Sequence, residues 1–426
     1  VTGLRLAILI LAALVFTQFN EWAVLDHLAL TFSALLALAY AWSRSSLIGI
    51  RPGRRIETDR RQVGQTLIEE LLVENRSLIG KLWLEVRDLS TLPGHDASHV
   101  IRLPGRGAVS WTVETVCARR GKYRTGPLII RGGDPFGLFS VTRHYPVQLE
   151  VLVYPATVPL PHVSLPVGIL SGGNVIDRRT PFVTPSVSTI REYVPGDPFN
   201  RISWSATARQ GRLMVKEFEA DPTSDVWIVL DLEQRWRVRA TGPLPFAPDA
   251  NGNWPVEAWL DSTEEYAVTV AASLARRCLE EGRAVGLIAS GSHYHVLPAE
   301  RSERQYLKLL ETLAVAEADG QRPLVEVLMA EGRRFTRDCG VIVVTASTDG
   351  DWVSSLLTLA GRRVRSRAVV IDPSSFASVP SADTVVNQLL SVNIPVHCVR
   401  YGDTIATALA NHAGTGVATG VLAWRR

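Results

Sequence analysis

From Val226 onward, short apolar runs rich in Val and Ile alternate with segments of helical period, and this alternation constrains the fold more than any other feature. The strand-like runs are Val226–Leu230, Ala284–Ala289, Val341–Thr345, Ala368–Ile371 and Pro395–Val399, with His293–Leu297 as an antiparallel edge. The helix-like segments are Thr263–Glu281, Glu303–Ala318, Leu324–Arg334, Trp352–Arg362, Asp383–Val392 and Thr404–Ala410. Strands with no polar alternation must be covered on both faces, and intervening helices supply the cover. The pattern predicts a mainly parallel, doubly wound α/β sheet over residues 225–426. Ligands on such sheets bind outside the carboxyl ends of the strands.

A chain of 426 residues is too long for one ordinary domain. Residues 45–165 read differently from the C-terminal part. Runs such as Thr66–Asn75, Lys81–Val86, Ala108–Val116, Leu128–Arg131 and Leu149–Tyr154 are separated by Gly, Pro, Asn and Asp signals. Trp83 to Arg87 and Trp111 to Glu114 alternate as half-buried antiparallel strands do. An all-β, immunoglobulin-like sandwich is expected, and no chemistry is assigned to it.

The N-terminus carries two uncharged runs, Leu6–Asn20 and Leu28–Ser43, flanked by Trp22, Tyr40 and Trp42. Read as a transmembrane helical hairpin over residues 1–44, they approach the ~20 residues that span a bilayer. Arg5 precedes the pair and Arg44, Arg51, Arg54, Arg55, Arg60 and Arg61 follow it, whereas the link is acidic. That bias places the hairpin in the inner (plasma) membrane, with both termini and the soluble domains cytoplasmic. The four cysteines are scattered, without CxxC or zinc spacing, as suits a reducing compartment. A formal net charge of +3 and the lack of a long basic block argue against a nucleic-acid partner. Arg362, Arg363, Arg365 and Arg367 read as a solvated helix end, and His293 and His295 as solvent-facing residues on an edge strand.

Residues 166–224 form a Pro/Gly/Ser/Thr-rich crossing that ends in a dense stretch from Arg191 to Glu219. It holds Arg191, Glu192, Asp197, Arg201, Trp204, Arg209, Lys216 and Glu217 around a helix-like core, Ser203 to Arg209. The stretch reads as an interdomain clasp or a partner motif. Trp204 and Phe218 would be its apolar anchors, and Arg201, Arg209 and Lys216 would pair with Glu192, Asp197, Glu217 or Glu219.

This order of features resembles a prokaryotic family known only as a domain of unknown function: a membrane hairpin, a β domain with Arg120-Gly121-Lys122-Tyr123 and Asp134-Pro135-Phe136-Gly137-Leu138-Phe139, the Arg191–Glu219 run, then a strand ending in Asp231. Its members are membrane-anchored von Willebrand factor A-like proteins, often linked with MoxR-type AAA+ ATPases. The resemblance implies a von Willebrand A-like domain at residues 225–426. Many such domains hold a divalent cation between an Asp-x-Ser-x-Ser loop, a Thr and a later Asp. Here Asp231 is retained, but Glu233 and Arg235 stand at the serine positions. Gly320-Gln321-Arg322-Pro323 replaces the Thr, and Ser347 replaces the later Asp, with Asp349 and Asp351 close behind. Arg235 would put a positive charge where the cation belongs, so no metal or other cofactor is expected, and Asp231 becomes a cap or a partner for Arg235.

The expected function is a non-enzymatic, membrane-anchored scaffold or adaptor. Its von Willebrand A-like domain would bind a protein partner, such as a MoxR-type ATPase, in complex assembly or maturation. One alternative is a metal-dependent, adhesion-type ligand-binding module. Another is a hydrolase using Asp231, Asp349 or Asp351 with a histidine, although neither GxSxG nor HExxH is present.

Overall fold

The computed structural model describes residues 8, 23–161, 187–193, 202–218, 225–242, 246–248, 254–336 and 339–410. The chain divides into two compact units. The first comprises Val1–Ala156, Phe246–Trp259 and Leu310–Val315, and the second the remainder.

The first unit opens with helix α1 (Ala23–Ser45). Ten strands follow: β1 (Ile50–Ile56), β2 (Arg60–Gln62), β3 (Thr66–Asn75), β4 (Lys81–Asp88), β5 (His99–Leu103), β6 (Ala108–Val116), β7 (Gly121–Thr125), β8 (Leu128–Gly133), β9 (Ser140–Tyr145) and β10 (Leu149–Tyr154). They form sheets of order β1-β3-β6, β5-β4-β8-β9 and β2-β10-β7. All pairings are antiparallel except β2 with β10. The first two sheets face one another across Ile50, Leu71, Val73, Leu84, Val86, Ile101, Leu103, Leu128 and Ile130. Strict alternation on β3 buries Leu67, Glu69, Leu71 and Val73 and turns Ile68, Glu70 and Leu72 outward.

Among the described residues, no helix is long and apolar enough to cross a membrane. Apart from Ile8, the first expected span lies outside the described residues. The second falls on α1, whose uncharged run between His27 and Arg44 covers roughly 24 Å of helix, short of the roughly 30 Å hydrocarbon core. One stripe of α1, with Ala29, Ala39 and Ser43, is buried. The helix contacts β8 and β9, and the Tyr40 ring meets Phe139 edge-on at 5.5 Å.

One strong charge cluster lies inside the β unit. The Arg54 guanidinium reaches Glu69 and Asp88, and His95 Nε2 lies 2.8 Å from Glu69 and 3.3 Å from Asp88. All four side chains have zero solvent exposure. Burial works against a charged imidazole, but the Asp88 and Glu69 carboxylates outweigh it and push His95 up to about 9.

The second unit begins with an antiparallel ribbon of β11 (Val187–Glu192) and β12 (Met214–Phe218), with α2 (Trp204–Gln210) between them. The six-stranded sheet follows: β13 (Val226–Asp231), β14 (Val285–Ser290), β15 (Tyr294–Glu300), β16 (Gly340–Thr345), β17 (Arg365–Ile371) and β18 (Val396–Val399). Its order is β15-β14-β13-β16-β17-β18, parallel throughout except for the β14–β15 pairing. The helices are α3 (Thr263–Glu280), α4 (Glu303–Val315), α5 (Leu324–Glu331), α6 (Asp351–Gly361), α7 (Asp383–Ser391) and α8 (Ile405–Ala410). The last turns of α4 group with the first unit.

Every residue of β13, β14 and β16 is buried, as a sheet covered on both faces requires. Trp227 and Val229 join Leu324, Val327, Trp352, Leu356, Val385 and Leu389 in one core, so α5, α6 and α7 cover that face. Helix α3 contacts β13, β14, β16 and β17. It starts at Ser262, whose hydroxyl caps the Glu265 N–H. One expectation fails here: Arg367 is not solvated but buried, 2.8 Å from His397 Nε2. It lies within the strand, where inward-facing positions are covered, rather than at the end of the preceding helix.

Candidate functional site

The strand order reverses at β13: the chain moves to β14 on one side and later returns to β16 on the other. The crevice between the carboxyl ends of β13 and β16 is therefore the topological switch point, where this sheet type takes ligands. Asp231 ends β13 and Thr345 ends β16, so the two meet there.

The Thr345 hydroxyl donates to Asp231 Oδ2 at 2.6 Å and accepts the Ser347 N–H at 2.8 Å. Asp231 Oδ1 accepts the Glu233 N–H at 3.1 Å. The Ser347 hydroxyl in turn accepts the Asp349 N–H at 3.2 Å. Burial drives the Asp231 carboxyl up to about 6, although Thr345 and the Glu233 N–H both favour its ionised form. Burial likewise raises the Glu233 carboxyl.

Of the two roles expected for Asp231, it caps the Glu233 N–H but does not pair with Arg235. The Arg235 guanidinium lies 2.7 Å from Asp349, with both side chains about half exposed, and stacks over the Trp236 ring at 4.6 Å. Chain geometry explains the difference, because Asp231 turns inward to the β16 end while Arg235 leaves on a short 3-10 turn, Gln234–Trp236. Asp351 starts α6 in its first turn, where a carboxylate complements the helix dipole. Gly320 lies alongside this loop: it exchanges backbone hydrogen bonds with Leu232 and Gln234. A Cβ there would stand 2.5 Å from the Ser290 carbonyl oxygen, so the position requires glycine. Sequence comparison thus placed Asp231, Glu233, Arg235, Gly320 and Asp349 in one neighbourhood but missed Thr345, the hydroxyl that Asp231 actually binds. The signal was its place at the end of the strand beside β13.

The Arg191–Glu219 stretch folds as the β11–α2–β12 ribbon. Ile202, Met214 and Val215 are buried within it, and Gly211 ends α2 in the left-handed region at φ 71°. Trp204 is 68% exposed and so is not a buried anchor; it occupies the first helical position, facing out. Glu192 pairs with the exposed Arg212 at 3.2 Å, a partner the sequence reading did not consider. Arg209 is exposed. The backbones of Arg191, Lys216 and Glu217 lie in the ribbon, opposite Val215, Ile190 and Thr189 respectively. Asp197, Arg201 and Glu219, and the side chain of Phe218, lie outside the described residues.

The comparisons with known proteins bear on the same region. The family model described as "Protein of unknown function DUF58" matches residues 189–242 and 257–386. The uncharacterized protein YeaD of Bacillus subtilis (strain 168) is 25% identical over 303 residues, covering 69% of this chain and 67% of YeaD. The uncharacterized protein Rv1480 of Mycobacterium tuberculosis (strain ATCC 25618 / H37Rv) is 28% identical over 230 residues. That match covers 52% of this chain and 65% of Rv1480, so it spans less than two thirds of that relative's length. Among solved structures, a CARDB domain from Pyrococcus furiosus is 16% identical, covering 24% of this chain and 91% of that one at a TM-score of 0.20. The family match thus spans the ribbon and the strands β13 to β17 that carry Asp231, Arg235 and Asp349, and over that region the chain is similar to the DUF58 proteins, uncharacterized in prokaryotes such as Bacillus subtilis and Mycobacterium tuberculosis.

Proposed function

We propose that this chain is a non-enzymatic, membrane-attached adaptor whose von Willebrand A-like domain binds a protein partner outside the carboxyl ends of β13 and β16. One observation carries the reading: Asp231, the acid that ends β13, is buried and already engaged, and the half-exposed Asp349 is paired. Asp231 is held by Thr345 and the Glu233 N–H, and Asp349 by Arg235. A carboxylate that is buried and held in this way is poorly placed to serve as base or nucleophile, because its lone pairs are aimed into the protein. The Arg235 charge stands next to the acid that a cation would have to recruit, which weighs against the adhesion-type, metal-dependent alternative. What remains open at the surface is a guanidinium backed by an indole, a pairing enriched at protein interfaces.

Membrane attachment is supported by α1, where Leu28, Leu30, Phe32 and Leu38 are exposed or half-exposed. Exposed apolar side chains in this number on one helix favour a lipid or protein cover. The proposed partner is a MoxR-type AAA+ ATPase, and the setting the cytoplasmic side of the inner membrane. The test is capture of the full chain in mild detergent with ATP, with mass spectrometry of what accompanies it. Recovery of such an ATPase from wild type, and its loss with Arg235→Glu, is the expected result. Absence of any AAA+ ATPase from the wild-type capture overturns the pairing. Mg²⁺ binding in the micromolar range, abolished by Asp231→Ala, would instead restore the metal-dependent alternative.

A further inference from the structure

The buried cluster in the β unit has a geometric defect. Arg54 engages Glu69 Oε1 and Asp88 Oδ1, so the outer oxygens are occupied. The inner oxygens, Glu69 Oε2 and Asp88 Oδ2, both converge on one atom, His95 Nε2. A single N–H can align well with at most one of two acceptors, and none of these three atoms has an aligned hydrogen bond, nor do Arg54 Nε and Glu69 Oε1 beside them. Buried polar atoms left in that state are costly unless something else satisfies them.

We propose that Glu69 Oε2, Asp88 Oδ2 and His95 Nε2 form a binding site for a divalent transition-metal ion such as Zn²⁺. With its Nε2 proton removed, His95 presents a third lone pair beside the two inner carboxylate oxygens, and a cation can take the proton's place among them. The three ligand atoms already lie within 4.8 Å of one another. Metal–ligand bonds of about 2.0–2.2 Å set neighbouring donors roughly 3–3.5 Å apart, so the pairs now at 2.8 and 3.3 Å need to spread only slightly. His95 Nδ1 lies 2.8 Å from the Thr115 hydroxyl, which can accept its N–H and so leave Nε2 as the coordinating nitrogen. Arg54 Nη2 donates to the outer oxygen Asp88 Oδ1 in the same supporting way, and its Nε lies 2.8 Å from Glu69 Oε1.

Charge selects the ion. Exchanging the His95 proton for a dication adds one positive charge to a cluster that already holds Arg54. Only an ion that gains strongly from the imidazole nitrogen offsets this, which favours Zn²⁺, Co²⁺ or Ni²⁺ over Mg²⁺ and Ca²⁺. Because the ligands have no solvent exposure, the ion would enter as the His95-bearing segment between β4 and β5 closes.

The test uses the full chain, produced in Zn²⁺-supplemented medium, washed with EDTA while folded, and assayed for metal content. About one Zn²⁺ per chain is expected to survive the wash and to be released only at the thermal unfolding transition. Retention should fall at least tenfold in Glu69→Gln and His95→Ala, and should be unchanged in Asp231→Ala and in the His293→Ala/His295→Ala pair. No retained ion, or retention indifferent to both Glu69→Gln and His95→Ala, overturns the site. If neither variant folds, the wild type decides alone: release on unfolding supports a buried site, whereas EDTA stripping of the folded chain places the ion on the surface and overturns it.

Discussion

Asp231 illustrates how far a residue's chemistry can be read before its partners are known. The strand ending in an acid was legible, and so was the nearness of Glu233 and Asp349 to its loop. The inward bond to Thr345 was not, because it depends on β16 lying beside β13, a pairing between strands more than a hundred residues apart. Burial of the carboxyl, which outweighs that bond, has a measurable consequence. The folded-state pKa of Asp231 is raised to about 6 from 3.8. The folded chain therefore holds this proton more tightly than the unfolded one, and stability falls as pH rises from about 4 through about 6. The shift corresponds to about 3 kcal/mol, present below the unfolded value and lost above the folded one. Asp231→Asn keeps the size and polarity of the side chain without the charge. In urea unfolding at pH 4.5 and 7.5, the variant should show a flatter pH dependence than wild type and be the more stable of the two at pH 7.5. Equal slopes in the two proteins would show that Asp231 is not the group responsible.

At the scale of elements, the parallel sheet was the most legible part. Continuous Val/Ile runs with no polar phase can only be strands covered on both sides, and β13, β14 and β16 are wholly buried. The ribbon was less legible because charge density drew attention to side chains, whereas its order comes from the buried Ile202, Met214 and Val215. The Trp204 ring illustrates the difference, since an aromatic residue in a charged loop suggested an anchor and the side chain is 68% exposed. Trp204→Ala should accordingly leave the melting temperature within about 0.5 kcal/mol equivalent of wild type, while Val215→Ala, on the buried side of β12, should lower it clearly. A large loss from Trp204→Ala would mean that the ring is covered in solution. On β3 the alternation of Leu67, Leu71 and Val73 already put Glu69 on the inner face. What the sequence withheld was His95, which arrives from a segment without regular period.

At the scale of the whole molecule, the order of the chain does not follow its compact units. Residues 246–259 and 310–315 leave the α/β part of the sequence and group with the first unit. Within that unit Trp259 packs with Val63, Leu67, Val151 and Val153. No local pattern could assign a tryptophan between a proline-rich loop and a helix to a core nearly two hundred residues upstream. Trp259→Ala should therefore destabilise the β unit, by about 2 kcal/mol for a partly buried aromatic, read as earlier loss of protection on β10 in hydrogen exchange. Protection on β10 equal to wild type would remove Trp259 from that core.

The same separation of faces decides what α1 does for the molecule. Ala29, Ala39 and Ser43 are buried, whereas Leu30 and Leu38 are mostly exposed and Leu28 and Phe32 about half exposed. If the outer face meets lipid, polar substitution there should change where the chain goes without changing how it folds. Leu28, Leu30, Phe32 and Leu38 replaced together by serine should leave the melting temperature of the β unit near wild type. The same variant should move the chain from the membrane pellet to the supernatant after alkaline extraction. Retention of the serine variant in the pellet would assign attachment to another part of the chain. A fall in melting temperature in detergent-free buffer would show instead that this face is covered by protein.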